Sequence, residues 1–182
     1  MKNTENIKPI YIAFGANLSN PKSTFAAAIA ALAQRGAVVT RMSGLWQSPA
    51  WPAGSGQPNY INACAEVEFA GQARALLDLL HNVEAQMGRI RNVKNAARTL
   101  DLDLLDFRGQ VIKTGNAPDS MIVPHPRMLS RGFVLFPLAE IAPEWRGPVE
   151  AMAIDDHIAR LPLADVAPMS WIGRFGRPNL PV

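Results

Sequence analysis

Two aspartates, Asp101 and Asp103, are the most chemically suggestive pair in the chain, because a single leucine separates them within the run LDLDLLDF at 100–107. Leucine and aspartate alternate there, which predicts a β-strand with the leucines on one face and both carboxylates on the other. Alternate residues of a strand lie about 7 Å apart, so the two carboxylates can hold one or two hard cations. Mg²⁺ is commonly bound by one or two carboxylates together with substrate phosphates. The plainer interpretation is a strand whose polar face meets solvent.

The charge pattern around these aspartates favours an anionic ligand. Residues 89–98 (RIRNVKNAAR) contain four basic side chains and no acidic one, whereas residues 101–107 contain three aspartates and no basic side chain. A cationic loop that leads into an anionic strand suits a ligand that carries negative charge and brings its own metal ion. The net charge of +3 leaves nucleic acid as a second interpretation, and a solvated basic loop as a third.

Composition narrows the class of protein. The 182 residues, 48% of them hydrophobic and 18% charged, predict one packed domain. The single cysteine, Cys64, excludes a disulfide framework and a cysteine-based zinc cluster, and it fits a reducing cytoplasm. The opening MKNTENIKPI lacks the apolar stretch of a signal peptide, and no run approaches the roughly 20 apolar residues of a membrane span. We therefore expect a cytoplasmic protein that contacts no membrane.

The remaining patterns place the aspartates within a simple series of elements. The first is a strand at 11–14 ended by Gly15 and Asn17, and the second is a helix capped by Ser19 or Asn20 that runs to Gly36. Residues 37–46 are β-prone. A strand at 60–69, a helix at 72–87 and the strand at 100–107 follow. The β-α-β-β-α-β order predicts an α+β fold, a ferredoxin-like split βαβ sandwich with two helices on one face and additional short C-terminal helices.

Proline shapes the expectations for the last third of the chain. The prolines of the segment 123–143 predict breaks between short helical pieces. Asp155 is predicted to cap a short helix, and His157 within that helix is predicted to lie at the surface. Residues 1–166 are expected to form a single domain, and residues 167–182 a proline-rich tail that wraps over the surface without forming a second domain.

The segment KNAARTLDLDLL (94–105) resembles the signature of the 6-hydroxymethyl-7,8-dihydropterin pyrophosphokinases, the kinases of folate biosynthesis. Other family motifs occur in the expected order, and they are YIAFGANL (11–18), PNYINA (58–63), EAQMGRIR (84–91), and PHPR followed by RGFVL (124–127 and 131–135). The likeness spans about residues 10–145.

The resemblance implies an ATP-dependent diphosphotransferase. The family moves an intact pyrophosphoryl group from ATP to the hydroxymethyl oxygen of the pterin and leaves AMP, so catalysis is expected to rest on positioning and electrostatics. Asp101 and Asp103 match the ligands of two Mg²⁺ ions in the family. Arg89 and Arg98 match its catalytic loop arginines, whose guanidinium groups suit phosphate oxygens.

The resemblance also assigns the two substrates to side chains. The residues matched to ATP are His81, Glu84, Arg91, His125 and Arg131. The residues matched to the pterin are Ser48, Pro49, Trp51, Tyr60, Asn62 and Phe133. Within the second set, the rings of Tyr60 and Phe133 are expected to stack on the pterin, and the amide of Asn62 is expected to read its donor and acceptor edge.

Departures from the family pattern and two alternatives stay open. Many relatives carry Trp where Asn95 stands and some carry Arg where Lys94 stands, so ATP affinity or loop closure is expected to differ from that of these relatives. The chain could be a non-catalytic pterin- and nucleotide-binding relative, although the metal and arginine residues are all present. It could be a single-stranded RNA-binding module, since RGFVLF (131–136) resembles an RNP1 start, but Val134 stands where Gly or Ala is required. We expect a monomer that acts on small molecules and binds no nucleic acid.

Overall fold

The computed structural model describes residues 8–52, 54–89, 97–115 and 120–176. Its strands are β1 (Ile10–Ala16), β2 (Ala37–Met42), β3 (Leu45–Ser48), β4 (Tyr60–Phe69), β5 (Asp101–Phe107), β6 (Ile112–Thr114), β7 (Met121–Val123) and β8 (Ser170–Gly173). Its α-helices are α1 (Pro21–Ala33), α2 (Ala73–Gln86), α3 (Gly132–Ile141), α4 (Ile154–Ala159) and α5 (Leu163–Val166), and a 3-10 turn covers Met128–Ser130. The fold is mixed α/β.

The main sheet is antiparallel and has six strands. Its order is β5-β1-β4-β3-β8, and β2 also pairs with β4. Strands β6 and β7 form a separate antiparallel pair. The central strand β4 has the predicted bounds. Its sequence, YINACAEVEF, places small buried apolar residues on both faces of the sheet.

One hydrophobic core lies between the sheet and the pair α1 and α2. Asn20 accepts a hydrogen bond from the backbone N–H of Ser23 and so caps α1, as predicted, and Pro21 occupies its first turn. Buried side chains of α2 repeat at helical spacing, at Leu76, Leu80 and Val83. They pack with the apolar side of β5 and thereby fix the strand that carries the two aspartates.

A second core lies on the opposite face of the sheet, beneath α3 and α4. Cys64 of β4 and Leu105 of β5 point into it, and α3 contributes Val134, Leu135 and Leu138. Burial raises the pKa of the Cys64 thiol well above its usual value. Since α3 also carries Phe133, this second core sets the distance between that ring and the sheet.

Three local predictions are wrong. Strand β1 does not end at Gly15 but runs through it to Ala16. Pro137 lies inside α3 instead of breaking it, because its neighbours bury a continuous apolar face against the sheet; having no N–H, it cannot bond the carbonyl of Phe133. His157 is buried at 6% exposure, with its ring 6.0 Å from that of Trp145.

The helix around His157 begins two residues earlier than an Asp155 cap predicts. Its N-cap is Ala153, without a side-chain cap, and Asp155 lies in the first turn, where a negative charge is favourable. Further along, Phe175 is buried in the first core, with its ring 6.4 Å from that of Phe25. None of the helices in the described ranges has the length and apolar character needed to cross a bilayer.

Candidate active site

A single row of the sheet brings the predicted metal and pterin residues together. Gly15 of β1 is the register partner of Asp101 on one side and of Asn62 on the other, and Asn62 is the partner of Trp46. Register partners point to the same face of a sheet. The Asp101 carboxylate and the Asn62 amide therefore flank a residue that has no side chain.

Gly15 leaves open space in this row. A Cβ built on Gly15 would lie 3.6 Å from the Cβ of Asp101, 3.7 Å from Oδ1 of Asn62 and 4.0 Å from Cδ1 of Tyr60. Those are ordinary contact distances, so a methyl group would fill the gap between the three side chains. The sequence predicts Gly15 only as a strand end, and its place opposite Asp101 and Asn62 depends on the strand register.

The Asp101 carboxylate accepts hydrogen bonds from two arginines that approach from different elements. Nη1 of Arg89, just beyond α2, bonds one carboxylate oxygen, and Nη1 of Arg98, just before β5, bonds the other. Burial alone would lower the pKa of Arg98, but the adjacent Asp101 carboxylate outweighs it and raises that pKa above its usual value. The Arg98 guanidinium therefore stays cationic at the edge of the site.

Asp103 lies among the residues of the PHPR and RGFVL motifs. Its Oδ2 is 3.6 Å from Nη1 of Arg131 and 4.0 Å from Nε2 of His125. Burial lowers the pKa of His125, with Arg131 acting in the same direction and Asp103 opposing it. Burial, followed by repulsion from Arg127, also lowers the pKa of Arg131. The second carboxylate is thus surrounded by groups suited to phosphate oxygens.

Glu84 is fully buried and contacts protein groups on two sides. Its Oε1 accepts a hydrogen bond from the backbone N–H of Leu102 at 2.7 Å and another from Nη1 of Arg89. The carboxylate therefore fixes Arg89 and joins α2 to β5 directly behind Asp101. His81, one turn earlier on the same helix, instead faces an open pocket.

That pocket has a volume of about 240 Å³ and lies beside Asp103, between α2 and β7. Its lining residues are Leu77, His81, Asp103, Leu104, Ser120, Met121, Ile122, Val123, His125 and Pro126. The mixture of aliphatic walls and a few polar groups suits a flat heterocycle with a charged extension toward Asp103.

The predicted pterin residues on the sheet form a connected group. Nδ2 of Asn62 donates hydrogen bonds to the carbonyl of Trp46 at 3.2 Å and to Oγ of Ser48 at 3.0 Å. Tyr60 lies two residues before Asn62, on the same face of β4, and burial raises the pKa of its hydroxyl group. Donating from Nδ2 fixes the amide orientation and directs Oδ1 toward the gap at Gly15.

The other pterin residues lie on α3 and on the loop after β3. Phe133 is partly buried, and the guanidinium carbon of Arg131 is 5.3 Å from its ring centroid. Pro49 and Trp51 are exposed, Trp51 at 74%. The RNP1-like run that includes Phe133 belongs to a helix, whereas RNP1 aromatics stack bases from a sheet. Arg91, Lys94 and Asn95 lie outside the described residues.

Asn17, which the sequence predicts only as the end of the first strand, is a second residue with a role in the site. It is 4% exposed, and its Nδ2 donates hydrogen bonds at 3.2 Å to Oε1 of Gln57 and to the carbonyl of Pro58. These contacts attach the loop before β4 to the end of β1. The signal in the sequence is an asparagine directly after a strand. The structure buries it, and a buried amide needs polar partners.

The two aspartates suit a metal that arrives with its substrate. The described ranges hold no cluster of three or more His, Cys, Asp and Glu side chains arranged to bind an ion. Asp101 and Asp103 offer hard oxygen donors on one strand face, and their side chains are 20% and 33% exposed. A hard cation held there would complete its ligands with oxygens from a bound phosphate or water.

Comparison with known proteins gives a consistent result. A protein-family model described as 7,8-dihydro-6-hydroxymethylpterin-pyrophosphokinase matches residues 11–143. A protein of Bacillus subtilis is 39% identical over 133 residues, which cover 72% of this chain and 76% of that protein. A protein of Synechocystis is 36% identical over 160 residues, or 87% and 79% of the two chains. One of Pseudomonas aeruginosa is 36% identical over 144 residues, or 78% and 85%. All three are named 2-amino-4-hydroxy-6-hydroxymethyldihydropteridine pyrophosphokinase.

Proposed function

The chain belongs to the 7,8-dihydro-6-hydroxymethylpterin-pyrophosphokinase family, and we propose that it transfers the pyrophosphoryl group of ATP to 6-hydroxymethyl-7,8-dihydropterin in folate biosynthesis. The hydroxymethyl oxygen forms a bond to the β-phosphorus and loses its proton, while the bond from that phosphorus to the oxygen bridging it to the α-phosphorus breaks. The products are AMP and the pterin diphosphate. The observation that carries the proposal is the sheet row that sets Asp101 and Asn62 on either side of Gly15.

Asp101 and Asp103 hold two Mg²⁺ ions in this proposal. The fit rests on their shared strand face, their partial exposure and the lack, in the described ranges, of a cluster of three or more metal-ligating side chains, which leaves room for substrate oxygens. Ions held by Asp101 and Asp103 together with ATP would supply charge neutralisation for the phosphate oxygens.

The arginines take up charge that develops on the phosphates. Arg89 and Arg98 now bond the Asp101 carboxylate, so each is already aimed at the position where the transferred group would lie. Arg131 and His125 approach from the side of Asp103. Donors held in place before the reaction stabilise a transition state without further reorganisation.

The nucleoside of ATP occupies the pocket between α2 and β7. His81, His125 and Asp103 line it, so the triphosphate leaves the pocket at the carboxylates. Glu84 supports this site from behind through Arg89 and the backbone of β5. Arg91 is assigned to ATP on the family motif alone.

The pterin lies on the other side of Gly15. Asn62 reads its edge with Oδ1, Tyr60 and Phe133 stack on its faces, and the loop residues Ser48, Pro49 and Trp51 complete the slot. The buried position of the Asn62 amide and its two fixed hydrogen bonds support this assignment. The pterin hydroxymethyl group then points across Gly15 toward Asp101.

The remaining features of the proposal concern the whole molecule. We classify the fold as a ferredoxin-like split βαβ sandwich and propose that the chain acts as a cytoplasmic monomer. Nucleic acid is not proposed as a partner, because Arg89, Arg98 and Arg131 face carboxylates within the site and do not form an open basic surface there.

A product assay tests the proposed function. The protein is incubated with Mg-ATP and 6-hydroxymethyl-7,8-dihydropterin, and the nucleotides are separated by chromatography. We expect AMP and the pterin diphosphate, with no ADP. ADP as the main product would indicate a conventional kinase, and ATP that is not consumed in a pterin-dependent manner would indicate a binding-only relative. Arg98→Ala should slow the reaction by about 10²-fold or more if Arg98 acts as a preorganised donor.

A further inference from the structure

A segment near the end of the described residues, 165–173, contacts two walls of the proposed pterin site. We call these residues the C-terminal segment; they include the end of α5 and all of β8. They lie beyond residues 11–143, to which the family model matches. One contact is with β3 and the other is with the beginning of α3.

Strand β8 converts β3 from an edge strand into an interior strand. Trp46 of β3 is the register partner of Trp171 on one side and of Asn62 on the other. The carbonyl of Trp46 and the hydroxyl of Ser48 are the two acceptors that orient the Asn62 amide. Pairing with β8 holds β3 on a second edge at Leu45, Trp46 and Gln47, which supports the Trp46 carbonyl directly and Ser48 through its neighbour Gln47.

The indole of Trp171 packs against the turn between β2 and β3. A Cβ built on Gly44 would lie 2.3 Å from Nε1 of Trp171, which shows how closely the ring approaches the backbone there. The N–H of Gly44 donates to Oε2 of Glu140 at 2.8 Å, and the indole N–H of Trp46 donates to the same oxygen at 3.2 Å. Trp171 thus supports a turn that is hydrogen-bonded to α3.

The second contact is at the first residue of α3. A Cβ built on Gly132 would lie 2.8 Å from the carbonyl oxygen of Asp165 and 3.6 Å from Cγ of Met169. Gly132 directly precedes Phe133 and follows Arg131. The backbone of the C-terminal segment therefore rests against the turn of helix that presents the stacking ring.

We infer that the C-terminal segment is a positioning element for the pterin site, holding the Asn62 wall and the Phe133 wall at a fixed separation. The inference rests on the proposed function, since it assigns the space between those walls to the pterin. The residues that line the nucleotide pocket, on α2, β5 and β7, are not among the contacts of the segment described above. A disturbance of the contact between β8 and β3, which is remote from Arg131 in the chain, should therefore affect the pterin and spare ATP.

Steady-state kinetics of point variants test this inference. Trp171→Ala removes the indole from Gly44, Trp171→Phe keeps an aromatic ring there, and Gly132→Ala places a methyl group against Asp165. The control is Val149→Ala, which truncates an apolar side chain that is 67% exposed and outside the segment. Each variant is first checked for cooperative thermal unfolding, and KM for the pterin, KM for ATP and kcat are then measured.

We expect Trp171→Ala to raise KM for the pterin by about tenfold, with KM for ATP and kcat within about twofold of wild type. Trp171→Phe should restore most of the loss, Gly132→Ala should also raise KM for the pterin, and Val149→Ala should match wild type. If Trp171→Ala does not fold, Trp171→Leu, which leaves Gly132 and the adjacent Arg131 unchanged, provides the same comparison. Folded variants with an unchanged pterin KM, or with both KM values raised equally, would overturn the inference. A wild-type protein without pterin-dependent AMP formation would instead overturn the proposed function.

Discussion

The side-chain oxygen of Asn17 accepts a hydrogen bond from the backbone N–H of Arg98 at 2.7 Å. The backbone N–H groups of Asn17 and Leu18 return the contact by donating to the carbonyl of Arg98 at 3.1 and 3.3 Å. Since the same asparagine holds Gln57 and Pro58 through its Nδ2, one buried side chain connects the loop before β4 with the residue that bonds Asp101. The position of Arg98 is therefore coupled to that of the proposed pterin loop.

Two substitutions of Asn17 should distinguish its contact with Arg98 from its contacts with Gln57 and Pro58. Asn17→Ala removes both and leaves the Arg98 N–H without its acceptor, which should lower the free energy of unfolding by about 1–3 kcal/mol and reduce kcat. Asn17→Asp keeps the acceptor for Arg98 but faces two other acceptors at Gln57 and Pro58, so kcat should fall less while KM for the pterin rises. Urea unfolding and steady-state kinetics provide the measurements. Equal kcat values for the two variants would contradict the coupling.

Glu84 should contribute more to stability than any exposed carboxylate of α2. Glu84→Gln retains an acceptor for the Leu102 N–H but removes the negative charge beside Arg89. Breaking a buried charge pair costs about 3–5 kcal/mol, and because Arg89 keeps its bond to Asp101 we expect a loss near 3 kcal/mol. The side chain of Glu84 is 1% exposed, whereas that of Asp78, paired with Arg74 on the same helix, is 50% exposed.

Asp78→Asn is therefore the matched control, and it should change the free energy of unfolding by at most about 0.5 kcal/mol. Chemical denaturation of both variants decides the matter. Similar losses in the two proteins would mean that the buried position of Glu84 has no special energetic role.

The strands and helices that position the aspartates were predictable because their sequence signals are local. Alternation defines β4 and β5, and the Asn20 cap with Pro21 defines the start of α1. The grouping of Asp101 with Asn62 required the resemblance to a family, since register between distant strands depends on tertiary packing. The C-terminal strand β8 was not predicted, because the short run SWIG has no alternation and is stabilised by its partner β3.

The other errors have the same origin in tertiary contacts. Pro137 is tolerated within α3 because burial of that helix outweighs one missing hydrogen bond. His157 is buried although a lone histidine in a polar helix is usually exposed, since the ring packs beside Trp145. Neither environment can be read from neighbouring residues alone.

Asp101 and Asp103 should be equally necessary for turnover but unequal in their effect on stability. Asp101→Ala and Asp103→Ala should each reduce kcat by at least about 10²-fold, because both remove a proposed metal ligand. Asp101→Ala also leaves Arg89 and Arg98 without their shared partner, whereas the nearest approaches of Asp103 are 3.6 Å to Arg131 and 4.0 Å to His125. Thermal unfolding should accordingly show the lower Tm for Asp101→Ala. Turnover near the wild-type rate in either variant would refute the metal-site assignment.

Asp106 should make the stability of the protein depend on pH in a direction opposite to that of a typical salt-bridged carboxylate. Burial raises the pKa of its carboxyl group, although Trp145 and the N–H of Gly109 donate hydrogen bonds to it. The folded chain then binds more protons than the unfolded chain above about pH 4, so this group's contribution to stability falls as pH rises through the window up to the raised pKa.

Asp106→Asn cannot titrate at this position and lacks this dependence of stability on pH. Urea unfolding of both proteins between about pH 4 and pH 7 should therefore show the free energy of unfolding of wild type, relative to Asp106→Asn, decreasing with pH and then levelling off. A difference that stays constant or increases over that range would show that Asp106 is ionised in the folded protein as readily as in the unfolded chain.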